Sequence, residues 1–310
     1  MKAIYQFFGK LPLSVLYLLS KFGYVLVYYL IRYRRDIVND NLLHAFPEKS
    51  ADERLEIEKN YYRFICDNFV EVMHSPAMTK QQLLDRIEFT NLDVIQPYID
   101  AKQSMQFLSI HQGNWEWVLQ ILSSKLGLPL DAIYKPLHSP LFEEIILKNR
   151  SRFGSNLIPS KNAMKELLRK RREFRAFIMT AEQAPIRRDK KYWHLFFNRP
   201  SSFYIGPQKI AELTKYPVFY LQVHRRQQGY YQLSFELIAE PPFEKNSFEV
   251  LDAYINRIEK AIRQQPETWL WSNRKWRKKP VLDDNSYFSK GFPMELVDGA
   301  TKSASSKPEQ

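Results

Sequence analysis

The sequence contains a single cysteine, Cys66, and only nine glycines. One cysteine cannot close an internal disulfide, so nothing in the chain requires an oxidising compartment. The few glycines form neither a P-loop nor a GxGxxG fingerprint, which weighs against nucleotide binding through a glycine-rich phosphate loop. No pair of histidines or cysteines has the spacing of zinc ligands. The sequence therefore predicts no metal and no cofactor.

Positive charge and aromatic residues, by contrast, are abundant. The net charge is +12, which favours an acidic partner such as nucleic acid, anionic lipid or an acidic protein. Aromatic residues make up 15% of the chain, and such side chains are typical of surfaces that face lipid headgroups. No strand has the interleaved aromatic and basic positions of an RNA-recognition motif. We therefore expect a membrane or an acidic protein as the partner, and no nucleic acid.

Long hydrophobic runs are also scarce, and one segment, residues 11–31, has the roughly 20 residues that cross a bilayer as a helix. Its only charge is Lys21, no small-residue cleavage site follows it, and an arginine cluster begins at Arg32. The segment could span the membrane, lie in its interface or be a buried core helix. We favour membrane attachment over a core helix and leave spanning and lying flat open. The flanking charges favour a cytoplasmic main body.

The central part of the chain alternates between strand and helix patterns. Ser50 and Glu53 form a capping box, which predicts an amphipathic helix from Ala51 to about His74. Repeated strand and helix units predict an α/β fold with a mixed, largely parallel sheet flanked by helices. The predicted strands cover 105–110, 131–135, 174–180, 192–197, 218–224 and 230–238, and the predicted helices cover 115–126, 140–153, 161–172 and 247–265.

Neither an internal repeat nor a linker rich in Pro, Gly or Ser divides this central part. We therefore predict a hydrophobic membrane anchor over residues 1–35 and one main domain over residues 36–285. Residues 286–310 are polar and small, which predicts a disordered tail.

The stretch SIHQGNWEW, residues 109–117, joins a predicted strand to a predicted helix. His111 follows the strand, where ligands bind in open α/β sheets, and Gly113 permits a tight turn. Glu116 falls in the first turn of the helix, and the intervening turn allows its carboxylate to face the imidazole. Such a pair suits a general base, with the carboxylate fixing the tautomer of the imidazole. The same spacing fits a hydrogen-bonded histidine and a helix-capping glutamate equally well, so both alternatives stay open.

Six blocks of the sequence, in order, resemble one family. HQGNWEW is similar to the HxGNWE block of the lipid A late acyltransferases, the lauroyl- and myristoyltransferases of lipopolysaccharide synthesis, within the HxxxxD/E lysophospholipid acyltransferase-like group. The chain departs from the family pattern at Lys135, Glu182 and Asn198, where the family has arginine, aspartate and glycine. The other five blocks are RRDIVNDNLLHAFPE, AIYKPLHSPLFEEIILKNRSRFG, TAEQ, HLFFNRPSSFYIGPQKIAELTKYPVFYLQVHRR and QQPETWLWSNRKWRKKP.

The resemblance implies transfer of a fatty acyl group from a thioester, on acyl carrier protein or coenzyme A, to a hydroxyl of a lipid A precursor. The reaction would take place at the cytoplasmic face of the inner membrane, and the main domain would be the acyltransferase domain. His111 would be the general base and Glu116 its orienting partner. Because no GxSxG nucleophile elbow is present, the histidine would activate the hydroxyl of the substrate. Backbone amides of Gly113 and Asn114 are candidate oxyanion donors.

Charged residues in the matching blocks are candidates for substrate contacts. Lys135 and Arg150 are the candidates for a phosphate or another anionic headgroup, with Arg152 as the alternative to Arg150. Glu182 and Arg274 complete the predicted substrate-binding set. Basic clusters fit an acidic carrier protein or the anionic bilayer, although each alone is also typical of a solvated surface; they cover residues 169–173, 187–191 and 274–279.

Three other interpretations stay open. The acceptor could be an aminolipid, a glycolipid or a lysophospholipid. Water could replace the acceptor, which would make the protein a thioesterase. The chain could also be a basic, membrane-tethered binding protein, for which the loss of His111 would be without consequence.

Overall fold

The computed structural model describes residues 7–137, 139–186 and 189–298 of the chain. Its strands are β1 (Ile87–Phe89), β2 (Met105–Ser109), β3 (Leu130–Tyr134), β4 (Ser155–Pro159), β5 (Ala176–Thr180), β6 (Lys191–Phe196), β7 (Arg199–Tyr204), β8 (Val218–Gln227), β9 (Tyr230–Ala239) and β10 (Ser286–Phe288). Its α-helices are α1 (Leu13–Val25), α2 (Arg35–Ala45), α3 (Ala51–His74), α4 (Lys80–Leu84), α5 (Gln96–Asp100), α6 (Trp115–Leu126), α7 (Pro140–Ser151), α8 (Ala163–Arg169), α9 (Gly206–Thr214) and α10 (Glu249–Gln264).

The main sheet has seven strands in the order β1-β9-β8-β2-β5-β3-β4. Strands β8, β2, β5, β3 and β4 are parallel, whereas β9 and β1 run in the opposite direction. The prediction of a mixed, largely parallel sheet flanked by helices is confirmed. Because the parallel strands end at one edge of the sheet, the segments that follow β2, β5 and β3 lie side by side there.

Two hydrophobic cores, one on each face of the sheet, hold the helices in place. Successive side chains of a strand point to opposite faces. On β2, Phe107 therefore enters the core that α6 closes, and Leu108 enters the core that α10 closes. All five residues of β2 are buried, including the polar Gln106 and Ser109, as expected of a strand that is covered on both faces.

Helix α1 packs antiparallel along α3. The Tyr17 hydroxyl donates to Glu71 at 2.9 Å, and the Ser20 hydroxyl donates to Asp67 at 2.5 Å. Residue numbers rise on one helix as they fall on the other, so the two helices run in opposite directions. The capping box that starts α3 is present as predicted, with both reciprocal bonds between Ser50 and Glu53.

The other face of α1 is apolar and exposed. Leu18 and Phe22 on α1, and Leu30 in the π-helical turn Leu26–Leu30 that continues it, have 54%, 67% and 73% of their surface accessible. Within the described part of the chain, Leu13–Leu30 is the one helical segment long and apolar enough to cross a membrane, with a mean hydropathy of 1.5. The exposed face excludes the fully buried core helix, one of the three alternatives for this segment.

The C-terminal boundary predicted at residue 286 is wrong for the residues that the structure describes. β10 pairs with β6 in a second, three-stranded sheet, in the order β10-β6-β7. Phe292 and Val297 are buried against Trp193. These apolar residues are spaced too irregularly to stand out in a polar sequence, yet they anchor the segment. Residues 299–310, the rest of the predicted tail, lie outside the described residues.

Candidate active site

His111 lies two residues beyond β2, at the carboxyl edge of the main sheet. Its backbone carbonyl accepts a hydrogen bond from the Leu270 N–H at 3.1 Å. Gln112 forms a bridge with Trp269, so the loop is held against the segment that follows α10. The imidazole packs edge-on against the ring of Trp115, with 5.1 Å between ring centroids. These contacts fix the position of His111 while 21% of its side chain stays exposed.

Glu182 is the hydrogen-bond partner of His111. The distance between His111 Nδ1 and Glu182 Oε1 is 2.5 Å, and the His111 backbone N–H donates to the same oxygen at 3.2 Å. The strand register explains the contact, because Ser109 on β2 pairs with Thr180 on β5 and each residue of interest follows two positions later. An ionised carboxylate only accepts hydrogen bonds, so Nδ1 carries the proton and Nε2 is left as the basic nitrogen of the neutral ring.

The hydrogen bond expected between His111 and Glu116 is therefore corrected: within the described residues, Glu116 bonds to Arg150 instead. Arg150 Nε donates to Glu116 Oε2 at 2.8 Å, and a terminal guanidinium nitrogen donates to Oε1 at 2.5 Å. The physical reason is the neighbouring helix α7, whose last turn brings a guanidinium to the first turn of α6. The planar fork of arginine matches a carboxylate in this two-bond arrangement, which an imidazole cannot provide.

These contacts set the charges of the site. Burial alone lowers the pKa of His111, but the adjacent Glu182 outweighs burial and holds that pKa above its ordinary value. Burial raises the pKa of Glu182, yet the charge and hydrogen bond of His111 bring it below its ordinary value. Burial acts on Glu116 in the same way, and Arg150 lowers the pKa of that carboxyl. Both carboxylates are therefore ionised at neutral pH, and an imidazolium at position 111 is stabilised.

Gly113 has the backbone conformation that the predicted turn requires. Its φ is +61°, and a Cβ atom there would lie 2.7 Å from Val223 Cγ1. Its N–H donates to the carbonyl of Thr268 at 3.1 Å, so this amide is already used by the fold. The suggestion that it stabilises an oxyanion is therefore not supported by its geometry.

Asn114 is fully buried and caps α6. Its Oδ1 accepts from the Trp117 N–H at 3.0 Å, and its Nδ2 donates to Glu71 at 2.8 Å. The side chain is thus committed to the fold. Its backbone N–H donates to no acceptor within the described residues, and this amide remains the candidate oxyanion donor of the pair.

The other predicted substrate-binding residues occupy different positions. Lys135 is exposed directly after β3, at the same edge of the sheet as His111. Arg152, the alternative to Arg150, donates to backbone carbonyls of Ser75 and Pro76. Arg274 is exposed and lines a surface cleft with residues of α2, and it forms no ion pair with the carboxylates of the site within the described residues.

Glu71 and the pairing of Glu182 with His111 were not predicted from the sequence. Glu71 lies in a helix of ordinary amphipathic pattern, and no local motif marks it. Glu182 carried a signal, because it comes just beyond the predicted strand 174–180, as His111 comes just beyond the predicted strand 105–110. Using that signal requires knowing that β5 lies next to β2, which chain order does not reveal.

A histidine with a buried carboxylate partner, at the carboxyl edge of a mixed sheet, is the type of site expected of an acyltransferase that uses a histidine base. The comparisons with known proteins make the class more specific. The family described as "Bacterial lipid A biosynthesis acyltransferase" matches residues 2–278, and the chain belongs to this family. The protein is therefore an acyltransferase of lipid A biosynthesis.

Two curated relatives agree with this assignment. The chain is 21% identical over 260 residues to the "Lipid A biosynthesis palmitoleoyltransferase" of Escherichia coli (strain K12). It has the same identity over the same length to the "Lipid A biosynthesis acyltransferase" of Shigella flexneri. Each match covers 83% of this chain and 83% of the relative.

Proposed function

We propose that the protein transfers a fatty acyl group from a thioester to a hydroxyl of a lipid A precursor, with His111 as the general base. The observation that carries the proposal is the 2.5 Å contact between His111 Nδ1 and the buried Glu182. This contact occupies Nδ1 and leaves Nε2, on a side chain that is 21% exposed, as the nitrogen available to a substrate hydroxyl. The partly exposed imidazole has the position and the tautomer that a base requires.

The reaction proceeds in two proton transfers. His111 Nε2 takes the proton of the acceptor hydroxyl as its oxygen attacks the thioester carbonyl, which gives a tetrahedral oxyanion. The intermediate collapses, the carbon–sulfur bond breaks, and the thiolate leaves with the proton that His111 carried. Glu182 stabilises the imidazolium between the two transfers, and the Asn114 backbone N–H is the candidate donor to the oxyanion.

Glu116 holds the guanidinium group of Arg150 in place beside the base. Glu116 uses two of the five guanidinium donors, so Arg150 keeps donors for an anionic group of the substrate. Lys135, exposed at the same edge, is the second cation available to a phosphate. Arg274, in its separate cleft, fits a more distant anionic group. This arrangement suits an acceptor that carries phosphate near the reacting hydroxyl.

The donor is acyl carrier protein in this proposal, with acyl coenzyme A as the alternative. Acidic carriers favour exposed cations, and Arg171, Arg172, Arg277 and Lys279 are exposed within two of the basic clusters. Lys275 is not part of this surface, because it is buried and donates to the Ser202 carbonyl at 2.7 Å. In the third cluster, Arg187 and Arg188 lie outside the described residues.

We further propose that α1 lies flat on the cytoplasmic face of the inner membrane. α1 and the π-helical turn after it are docked antiparallel on α3, from the Tyr17–Glu71 contact to the Tyr28–Tyr62 contact. A spanning α1 would bring α3 into the hydrocarbon, including the exposed Arg63, which is costly. An in-plane helix instead buries its exposed apolar face among the acyl chains and leaves α3 in the headgroup region.

The test is an assay of the purified protein with acyl carrier protein thioester and a lipid A precursor, followed by mass spectrometry of the lipid. We expect an acylated product with a glucosamine core, and we expect His111→Ala to lower turnover by about 10²-fold to 10⁴-fold with folding retained. A product without that core would identify an aminolipid or lysophospholipid acceptor. Free fatty acid as the main product would indicate a thioesterase, and unchanged turnover in His111→Ala would exclude its role as base.

A further inference from the structure

The buried carboxylate of Glu71, on α3, joins three segments that are distant in sequence. Glu71 Oε2 accepts from Asn114 Nδ2 at 2.8 Å and from the Tyr231 hydroxyl at 2.6 Å. Glu71 Oε1 accepts from the Tyr17 hydroxyl at 2.9 Å. The side chain is fully buried, so these three donors replace the water that a carboxylate otherwise needs.

Glu71 fixes the orientation of Asn114 in the loop that carries His111. A carboxylate only accepts hydrogen bonds, so the amide must present its NH₂ group to Glu71 and its oxygen to the Trp117 N–H. Both ends of the Asn114 side chain are thereby specified. A shift of Glu71 moves the residue that caps α6 and with it the turn between His111 and Glu116.

At its other end, the same carboxylate is bonded to the helix that bears the exposed apolar face. Tyr17 lies on α1, and its hydroxyl packs against Gly229 in the β8–β9 turn. A Cβ atom at position 229 would clash with that hydroxyl. The Tyr17 hydroxyl is therefore held toward Glu71 and away from the apolar face. Displacing α1 from α3 removes this donor from the carboxylate.

We propose that Glu71 is a positioning residue that links the seating of α1 to the geometry of the loop carrying His111. The inference rests on the proposed function, because it concerns a reaction at His111. When α1 is seated, Glu71 has all three donors and holds Asn114 in the orientation described. When α1 leaves, a buried charge loses one donor, and Asn114 and Tyr231 must rearrange to compensate. Burial raises the pKa of Glu71, and the hydrogen bonds from Tyr231, Asn114 and Tyr17 act against it, so loss of the Tyr17 hydroxyl removes one of the groups that favour the carboxylate.

The first test replaces Tyr17 by phenylalanine, which removes the hydroxyl and keeps the ring. We expect kcat for acyl transfer to fall roughly threefold to tenfold, which corresponds to the net contribution of one ordinary hydrogen bond. We expect KM for the acyl donor and binding to phosphatidylethanolamine–phosphatidylglycerol vesicles to stay unchanged, because the hydroxyl faces Glu71 and not lipid. Loss of vesicle binding in step with activity would show that Tyr17 serves attachment alone and would contradict the link.

Tyr98→Phe is the matched control. It makes the same chemical change and removes a 2.6 Å bond from a tyrosine hydroxyl to Glu240 at the surface. We expect wild-type kcat for this variant. An equal decrease in Tyr98→Phe and Tyr17→Phe would show a general loss of stability and would contradict positioning.

The second test exchanges donor and acceptor across the Glu71–Asn114 contact. Asn114→Asp alone leaves two carboxylates facing each other, and we expect kcat to fall at least tenfold. Glu71→Gln alone can still turn its amide oxygen to the Asn114 NH₂ group, and we expect a smaller fall, because the orientation of Asn114 is then no longer fixed by an acceptor-only group. The double variant restores a complementary pair, and aspartate still caps α6. We expect its kcat to return to within about threefold of wild type. Failure of this rescue would contradict the positioning role.

Wild-type thioester turnover separates this inference from the proposed function. Absence of turnover in the wild type would overturn the function and the inference that depends on it. Normal turnover in the wild type with an unchanged kcat in Tyr17→Phe would overturn the link alone.

Discussion

His111 is paired with one carboxylate, Glu182, while a second, Glu116, is neutralised by Arg150 nearby. The difference assigns separate tasks to the two acids. Glu182 sets the tautomer and the proton affinity of the ring. Glu116 keeps a guanidinium in place at the rim of the site. A substitution at either acid should therefore change a different kinetic property.

Glu182→Gln should move the pH dependence of acyl transfer. The base acts as neutral imidazole, so the rate rises as the pH passes through the pKa of His111, which Glu182 holds above its ordinary value. A neutral amide removes this effect, so the rising limb of kcat/KM should move to lower pH. The maximal rate should fall on the order of 10²-fold because the imidazolium loses its stabilising charge.

The measurement is kcat/KM for the thioester donor between about pH 5 and pH 9, the range in which a histidine titrates. Glu212→Gln is the control, since Glu212 pairs with Lys209 on α9 and does not contact His111. A rising limb at the same pH in Glu182→Gln and wild type would show that Glu182 does not tune the base.

Gly113 should tolerate no side chain. The added Cβ of Gly113→Ala would lie 2.7 Å from Val223 Cγ1 and 3.0 Å from the Val223 carbonyl oxygen, at a φ of +61°. We expect a loss of about 2–4 kcal/mol in the free energy of unfolding, measured by urea denaturation.

Gly127→Ala separates the backbone strain from the steric clash with Val223. Its φ is +65°, but a Cβ there meets nothing within 4 Å. Only the backbone strain applies, and we expect about 1–2 kcal/mol. Equal losses in the two variants would show that the approach of Val223 to the loop carries no cost.

The in-plane orientation of α1 makes a prediction for the whole helix. Val15, Phe22 and Tyr29 are exposed along α1 and the π-helical turn, Leu26–Leu30, that continues it. Spin labels at these three positions, in a protein with the buried Cys66 replaced by serine, should report similar and shallow depths in vesicles. A helix that crosses the bilayer would instead place the label at position 22 near the centre and the other two near opposite headgroups.

The elements with strong local patterns could be predicted from the sequence, and those without them could not. α3 has a capping box and a long amphipathic pattern, and the structure gives the predicted bounds, Ala51–His74. β1 has three residues, and β4 and β7 contain polar residues and proline, so neither length nor periodicity marks them. Helices α2 and α9 were also absent from the prediction.

The candidate site shows the same limit at the level of contacts. His111 and the turn at Gly113 follow from one continuous segment, and the structure has both where the pattern indicates. The partner of His111 follows β5, which lies next to β2 only because the strand order differs from the chain order, and the partner of Glu116 comes from α7. Local spacing therefore favoured Glu116 for His111, whereas packing gives each acid a partner from another element.

The net charge of +12 affects the whole molecule at longer range than any single contact. If an acidic carrier protein is the donor, exposed cations such as Arg171 and Arg277 attract it before binding, and salt screens this attraction over about 10 Å at 0.1 M. Raising the salt from about 50 to 300 mM should therefore increase KM for the carrier thioester roughly tenfold and leave kcat unchanged.

An uncharged acyl-pantetheine thioester serves as the control donor, because it delivers the same acyl group without the acidic protein. Its KM should not respond to salt. The assay belongs in neutral detergent, so that the membrane contributes no charge of its own. Because only the attraction between protein charges is then measured, a carrier KM that is independent of salt would contradict a role of the basic surface in attracting the donor.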